Sequence, residues 1–169
     1  MSEQTEKLIR DSFPDAVIET TDVFGTLNVK ITPGSLVPIC ELLHEHGFNY
    51  LADITAVDWA PPSVPPLQGG KQSGLQGGKQ SGLQGGRIEV VYQLTALERN
   101  EKLALRVDLD RDRPEIDTVT AIWKGADFQE REVYDLMGVV FVGHPNLRRI
   151  LTPENWEGFP LRKDYVIPD

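Results

Sequence analysis

Glu130, Glu132 and Asp135 sit within the run Glu130-Arg131-Glu132-Val133-Tyr134-Asp135, and His144 follows soon after. Carboxylates beside an imidazole are the materials of general acid–base chemistry, so a hydrolase using Glu130, Glu132 and His144 is one reading. On a helix, Glu132 and Asp135 are three apart and share a side, whereas Arg131 and Asp135 are four apart and are placed to pair. A catalytic dyad also needs a cleft, and nothing in the adjoining sequence supplies one. The other reading is an ion-paired docking face, because unlike charges at this density are costly to bury without partners.

Other candidates are weaker. Cys40 and His44 are four apart, with His46 nearby, a spacing that suits two metal ligands on a helix. Cys40 falls on an apolar stripe, however, where a thiol acts as a small hydrophobe. Gly70-Lys71 and Gly78-Lys79 resemble a phosphate-binding loop, but Pro65 and Ser73 stand where its first glycine belongs. Gln72 and Gln80 stand where its Ser or Thr belongs. Arg148 and Arg149 could grip a phosphate or lipid headgroup, or pair with an acidic neighbour. Trp156, Phe159 and Tyr165, set among Pro153, Pro160, Arg162 and Lys163, read as anchors of a rigid extended tail, since aromatic and Arg groups are enriched at interface hot spots.

The elements that carry these residues follow from periodicity. Residues 3–12 read as a helix stopped by Pro14. Val17–Thr20 and Leu27–Ile31 read as strands joined around Gly25. Leu36, Ile39, Cys40 and Leu43 mark one face of a helix that ends near Gly47. Residues 48–59 read as a largely apolar central strand. Residues 87–94 and 103–109 form a hairpin about Glu98-Arg99-Asn100-Glu101. Pro114 to about Trp123 is expected to be helical. A further helix runs from Asp127 to Met137, with Asp127 and Glu130 spaced as a capping box and Gly138 as its stop. The expected fold is α+β: a mixed, largely antiparallel sheet with helices packed on it and an extended C-terminal tail. Residues 1–143 would form the domain and 144–169 a partner-binding tail that builds little core of its own. Residues 60–86 would be an insertion. Its Leu-Gln-Gly-Gly-Lys-Gln-Ser-Gly repeat has no apolar face to bury and should be a flexible loop.

The segment Glu130-Arg131-Glu132-Val133-Tyr134-Asp135-Leu136-Met137-Gly138, continuing through Phe141-Val142-Gly143-His144-Pro145-Asn146-Leu147-Arg148-Arg149-Ile150-Leu151, closely resembles the signature of the C-subunit family of respiratory complex I (NADH-quinone oxidoreductase). The ending from Thr152 to Tyr165 and the stretch Tyr50–Trp59 resemble it too, in the family's order. The resemblance implies a hydrophilic, non-redox structural subunit of the peripheral arm, packed against the large D subunit of the quinone module. FMN, iron–sulfur clusters, NADH and quinone would belong to the complex, and none to this chain. Its expected place is the cytoplasmic side of the cell inner membrane, held there only through other subunits. Equivalent subunits of membrane-bound hydrogenase-type and plastid-type complexes carry a similar motif. The implied partner interface is Glu130, Arg131, Glu132, Asp135, His144, Arg148, Arg149, Trp156, Arg162 and Lys163.

Composition agrees with that picture. A chain of 169 residues with 40% hydrophobic and 25% charged residues suits one soluble domain with a core. The net charge of −9 argues against nucleic-acid binding, which needs a cationic footprint. Residues 1–60 carry −7 of it. No apolar run reaches the ~20 residues that span a bilayer. The polar, acidic start is unlike a secretory signal or a transit peptide. One cysteine excludes an internal disulfide, excludes a thiolate-held cluster built by this chain alone, and suits a reducing compartment.

Overall fold

The computed structural model describes residues 2–60 and 86–166. The repeat expected to be a flexible loop lies outside them, apart from Gly86. Helix α1 (Ser2–Ser12) buries Ile9 and stops before Pro14, whose ring cannot continue a helix. Strands β1 (Val17–Val23) and β2 (Thr26–Ile31) pair antiparallel around a two-residue turn, Phe24-Gly25. A 3-10 turn at Pro33–Ser35 leads into α2 (Leu36–Glu45). The buried residues of α2 are Leu36, Ile39, Cys40 and Leu43, the stripe that the i, i+3, i+4, i+7 spacing predicts. Then come β3 (Tyr50–Trp59), β4 (Arg87–Ala96) and β5 (Glu101–Asp110), followed by β6 (Glu115–Asp117), α3 (Ala126–Met137) and β7 (Val140–Val142).

The five-stranded sheet has the order β1-β2-β5-β4-β3. Only β2 and β5 run parallel; the other neighbours are antiparallel. The fold is therefore α+β with a mixed, largely antiparallel sheet, as the sequence implies. Ile88, Val90, Tyr92 and Leu94 of β4 stand opposite Leu109, Val107, Leu105 and Leu103 of β5. All eight are buried, in one cluster with Ile9 of α1, the stripe of α2, and Ala126, Val133 and Met137 of α3. The helices thus cover one face. The opposite face carries Glu89, Arg106, Asp108 and Lys30, held in ion pairs: Arg106–Glu89 at 2.9 Å and Lys30–Asp108 at 2.7 Å.

Three expectations need correction. β3 is an edge strand, and β5 is the central one. The apolar run at 48–59 cannot report this, because α3 packs along β3 and provides its cover, while Tyr50 and Val57 remain exposed. The stretch from Pro114 to Trp123 is not a helix. Residues 115–117 instead pair parallel with β7, and only a single turn forms about Val119–Trp123. Ile116, Thr118, Val119 and Thr120 are β-branched and favour that outcome. The capping box of Asp127 and Glu130 does not form. The N-cap of α3 is Gly125, without a side-chain cap, and the Glu130 carboxylate is engaged elsewhere.

Candidate functional site

Helix α3 carries the charged signature, and its amphipathic pattern decides which charges turn inward. Glu130, Arg131 and Asp135 are buried; Glu132, between them, is exposed. Glu130 accepts a hydrogen bond from the Thr118 hydroxyl at 2.5 Å and another from the Val119 backbone N–H at 2.8 Å. It therefore ties α3 to the segment after β6. Burial pushes its pKa up, the two hydrogen bonds pull it back, and the nearby Asp127 charge adds to the rise, so it stands at about 7.

His144 closes this corner, with its ring fully buried. Its Nδ1 accepts the backbone N–H of Asn146 at 3.0 Å, so a neutral ring carries its proton on Nε2. Nε2 faces the backbone carbonyl of Asp127 at 3.2 Å and the Asp127 carboxylate at 3.3 Å, and Glu130 Oε2 lies at 3.9 Å. The ring thus makes fixed contacts where the tail begins.

Asp135 organises the tail itself. Its carboxylate accepts the backbone N–H groups of Ile150 at 2.9 Å, Leu151 at 2.7 Å and Thr152 at 3.0 Å. It also accepts the Thr152 hydroxyl and Arg149 Nη1, the latter at 2.8 Å. Burial alone would raise its pKa. The bonds from Thr152, Arg149 and Leu151 outweigh burial and hold it below the usual carboxylate range. The expected Arg131–Asp135 pair is not made. Arg131 turns to the carbonyl of Arg148 at 3.3 Å and stacks over Phe128, because the tail supplies Asp135 with better-placed donors.

The last carbonyls of α3 are also taken up by the tail. Arg149 Nη1 donates to the Asp135 carbonyl at 2.8 Å, the Leu161 N–H to Leu136 at 3.0 Å, and Arg162 Nε to Met137 at 2.8 Å. These groups have no intrahelical partner, so the tail acts as the C-cap of α3. Gly138 makes the fit possible: its φ is +74°, and a Cβ there would come within 2.5 Å of the Phe159 ring. Arg149 and Arg162 both pack on that ring, at 5.3 and 4.9 Å from its centroid.

A further cluster escaped the sequence reading. Arg111 makes a two-pronged pair with Asp58, at 2.7 and 2.9 Å, and a second pair with Asp164 at 2.8 Å. Asp58 also accepts the Lys163 backbone N–H at 2.9 Å. This clasp joins the end of β3, the loop after β5 and the tail. Its one sequence signal is a carboxylate at the end of an apolar strand, which needs a buried cation to balance it.

Of the ten residues expected at a partner interface, Glu130 and Asp135 are turned fully inward, and Arg149 and Arg162 are held by α3 and the tail. Glu132, Arg148 and Lys163 are exposed, and Trp156 is 39% exposed. Arg131 and the His144 ring are buried. Cys40 lies in the core and His44 and His46 at the surface. Among the described residues no group of three or more His, Cys, Asp or Glu is arranged to hold a metal ion. No described helix is long and apolar enough to cross a membrane.

This architecture is shared. A solved trypsin-resistant fragment (1-134) of Nqo5 superposes with a TM-score of 0.66 at 28% identity, covering 87% of this chain and 100% of that one. A chain of the membrane-bound sulfane sulfur reductase, an archaeal respiratory membrane complex, gives 0.73 at 25% identity, over 98% and 85%. In sequence the chain is 34% identical over 159 residues to the C subunit of the NADH-quinone oxidoreductase of Roseiflexus sp. (strain RS-1), over 92% of this chain and 79% of that one. It is 41% identical over 130 residues to the C subunit of the same oxidoreductase from Moorella thermoacetica, over 77% and 72%. It is 40% identical over 152 residues to the J subunit of the chloroplastic NAD(P)H-quinone oxidoreductase of Cryptomeria japonica, over 88% and 82%. The family model for the respiratory-chain NADH dehydrogenase 30 Kd subunit matches residues 29–169, from β2 through the tail, and the chain belongs to that family.

Proposed function

We propose that this chain is a non-redox structural and assembly subunit in the peripheral arm of a proton-translocating NADH-quinone oxidoreductase. The complex would carry electrons from NADH to quinone with FMN and iron–sulfur clusters on other subunits; this chain would bind none of them. It would sit on the cytoplasmic side of the cell inner membrane and pack against the large D subunit of the quinone module. The observation that carries the reading is how the signature's ionisable groups are used. Asp135 and His144 are committed to hydrogen bonds that seat the tail on α3, and Glu130 to bonds that tie α3 to the segment after β6, an arrangement that builds a surface. The hydrolase reading would need Glu130, Glu132 and His144 to converge. Glu132 instead points to solvent from the other side of the helix, away from the buried Glu130. Relatives named as subunits of quinone oxidoreductases support the same conclusion.

A second reading, the equivalent subunit of another respiratory membrane complex, is favoured by the likeness to the sulfane sulfur reductase chain and by the plastid relative. One experiment separates them. The full chain is tagged in its native cells, membranes are solubilised, and the co-purifying large subunit is identified while NADH:quinone reduction is assayed. Recovery of the large D subunit with NADH:quinone activity supports the first reading, and a sulfur- or hydrogen-metabolising partner supports the second. The isolated chain is expected to be colourless and inert toward NADH. A stoichiometric visible chromophore would overturn the non-redox assignment.

A further inference from the structure

Glu130 is fully buried where α3, the segment after β6 and the root of the tail meet. Each of its oxygens has one donor, the Val119 N–H on Oε1 and the Thr118 hydroxyl on Oε2. Among the described residues no Lys or Arg pairs with it, and the His144 ring lies 3.9 Å away. That ring accepts the Asn146 N–H at Nδ1 and turns Nε2 to Asp127, so in this tautomer it brings Glu130 no charge. The other ionisable groups around Glu130 bring no positive charge either. Asp127, on the same helix, is a second acid, and its Oδ1 is buried without a hydrogen bond. Asp117 of β6 adds a third acid, next to Thr118. Cys40 of α2 and Tyr92 of β4 lie in the core; burial raises the pKa of both, and the Glu130 charge adds to each rise. Arg131 turns away, to the Arg148 carbonyl.

A proton suits this corner better than a charge does. With a proton on Oε2, the Glu130 carboxyl donates to Thr118 Oγ1. That hydroxyl then donates to Thr120 Oγ1 at 2.9 Å and accepts the Thr120 N–H at 3.2 Å, so its hydrogen and both lone pairs are used. Oε1 still accepts the Val119 N–H. Ionised, the same group has two donors, no cation and Asp127 beside it, and burial outweighs the two bonds. Asp135, on the same helix, is built the other way. Burial would raise its pKa, but the bonds from Thr152, Arg149 and Leu151 hold it below the usual carboxylate range.

We propose that Glu130 is a proton-operated latch on the root of the tail. Protonated, it holds the segment after β6 on α3. That segment in turn holds the end of β7, because the Thr118 N–H donates to the Val142 carbonyl at 2.9 Å. Loss of the proton loosens residues 118–120 and 143–146, while Asp135 keeps residues 149–152 in place. The direction follows from linkage. The folded pKa of about 7 lies above the unfolded 4.5, so the latch is fully closed below pH 4.5 and is lost as pH rises through about 7.

The test is amide hydrogen exchange of the full chain, followed residue by residue by NMR and corrected for the intrinsic effect of pH on exchange. Between pH 4.5 and 8 the Val119 and Asn146 amides should lose about a hundredfold in protection. The amides of residues 150–152, held by Asp135, should not change, and the β4–β5 ladder should stay better protected than the corner throughout. Glu130→Gln keeps an acceptor for Val119 and a donor for Thr118 but has no proton to lose, so its Val119 protection should not vary with pH. In the wild-type chain, whether or not that variant folds, the Glu130 carboxyl carbon should titrate at about pH 7. A corner whose protection is independent of pH would overturn the latch. So would wild-type pH dependence in Glu130→Gln, or a Glu130 carboxyl that titrates near 4.5. Equal losses at residues 150–152 would mean that α3 and the tail open as one body. Equal protection of corner and ladder would mean that the corner opens only when the whole domain does. Either result ends the proposal.

Discussion

Asp135 and Glu130 lie on one helix, both fully buried, and their surroundings treat charge in opposite ways. Around Asp135, five donors outweigh the cost of burial and favour the ionised form. Its folded pKa is below its unfolded value of 3.8, so its contribution is present above that pH and is lost as pH falls further. Around Glu130, burial wins and its folded pKa of about 7 lies above the unfolded 4.5. That group's contribution is full below pH 4.5 and is lost as pH rises through about 7. The loss is about 3 kcal/mol. Denaturant titrations of wild type and Glu130→Gln between pH 4.5 and 8 should differ in slope, with the variant flatter. Parallel curves would show that Glu130 ionises normally. Asp135→Ala strands Arg149 and three backbone N–H groups, and should cost about 3–5 kcal/mol at pH 7, read from the same titrations.

At the scale of elements, α3 and the tail form one unit, joined at Gly138. Gly138→Ala puts a methyl group where φ is +74° and the Phe159 ring stands 2.5 Å away. It should cost about 2–4 kcal/mol, and Phe159→Ala should soften that cost in a double-mutant cycle. Additive costs would separate the glycine's backbone role from the ring. For the same reason, a chain ending at Gly143 should be markedly less stable than the full chain, since α3 would lose the donors for its last carbonyls. The helix periods of α1, α2 and α3 and the β4–β5 hairpin are legible in the sequence, because each buries a stripe of its own residues. β6 and the edge position of β3 are not. Each depends on an element distant in sequence, β7 for one and α3 for the other, and local periodicity carries no term for a distant partner. The inward turn of Asp135 is hidden in the same way. The i, i+4 spacing favours Arg131, and the donors that win come from the tail.

Across the whole molecule, the Asp58–Arg111–Asp164 clasp links regions far apart in sequence. Asp58 ends an edge strand, Arg111 follows the central strand, and Asp164 lies in the tail. Arg111 and Asp58 are nearly inaccessible, with side chains 8% and 1% exposed, while Asp164 is 47% exposed. The inner pair is therefore the one that matters, and the outer pair is screened by solvent. Arg111→Ala leaves Asp58 buried with the Lys163 N–H as its remaining described donor, and should cost about 3–5 kcal/mol. Asp164→Asn should cost under about 1 kcal/mol. If the clasp holds the tail down, Arg111→Ala should also speed tryptic cleavage after Arg162 and Lys163, at a temperature where the domain stays folded by circular dichroism. The double variant Asp58→Asn with Arg111→Met replaces the ion pair by uncharged groups and should recover part of the lost stability, but not the protection of the tail, because a neutral amide at position 58 holds the Lys163 N–H more weakly than the carboxylate does. Protection that returns along with stability would mean that the tail is held by Asp135 and Gly138 alone, and that the clasp only balances a buried charge.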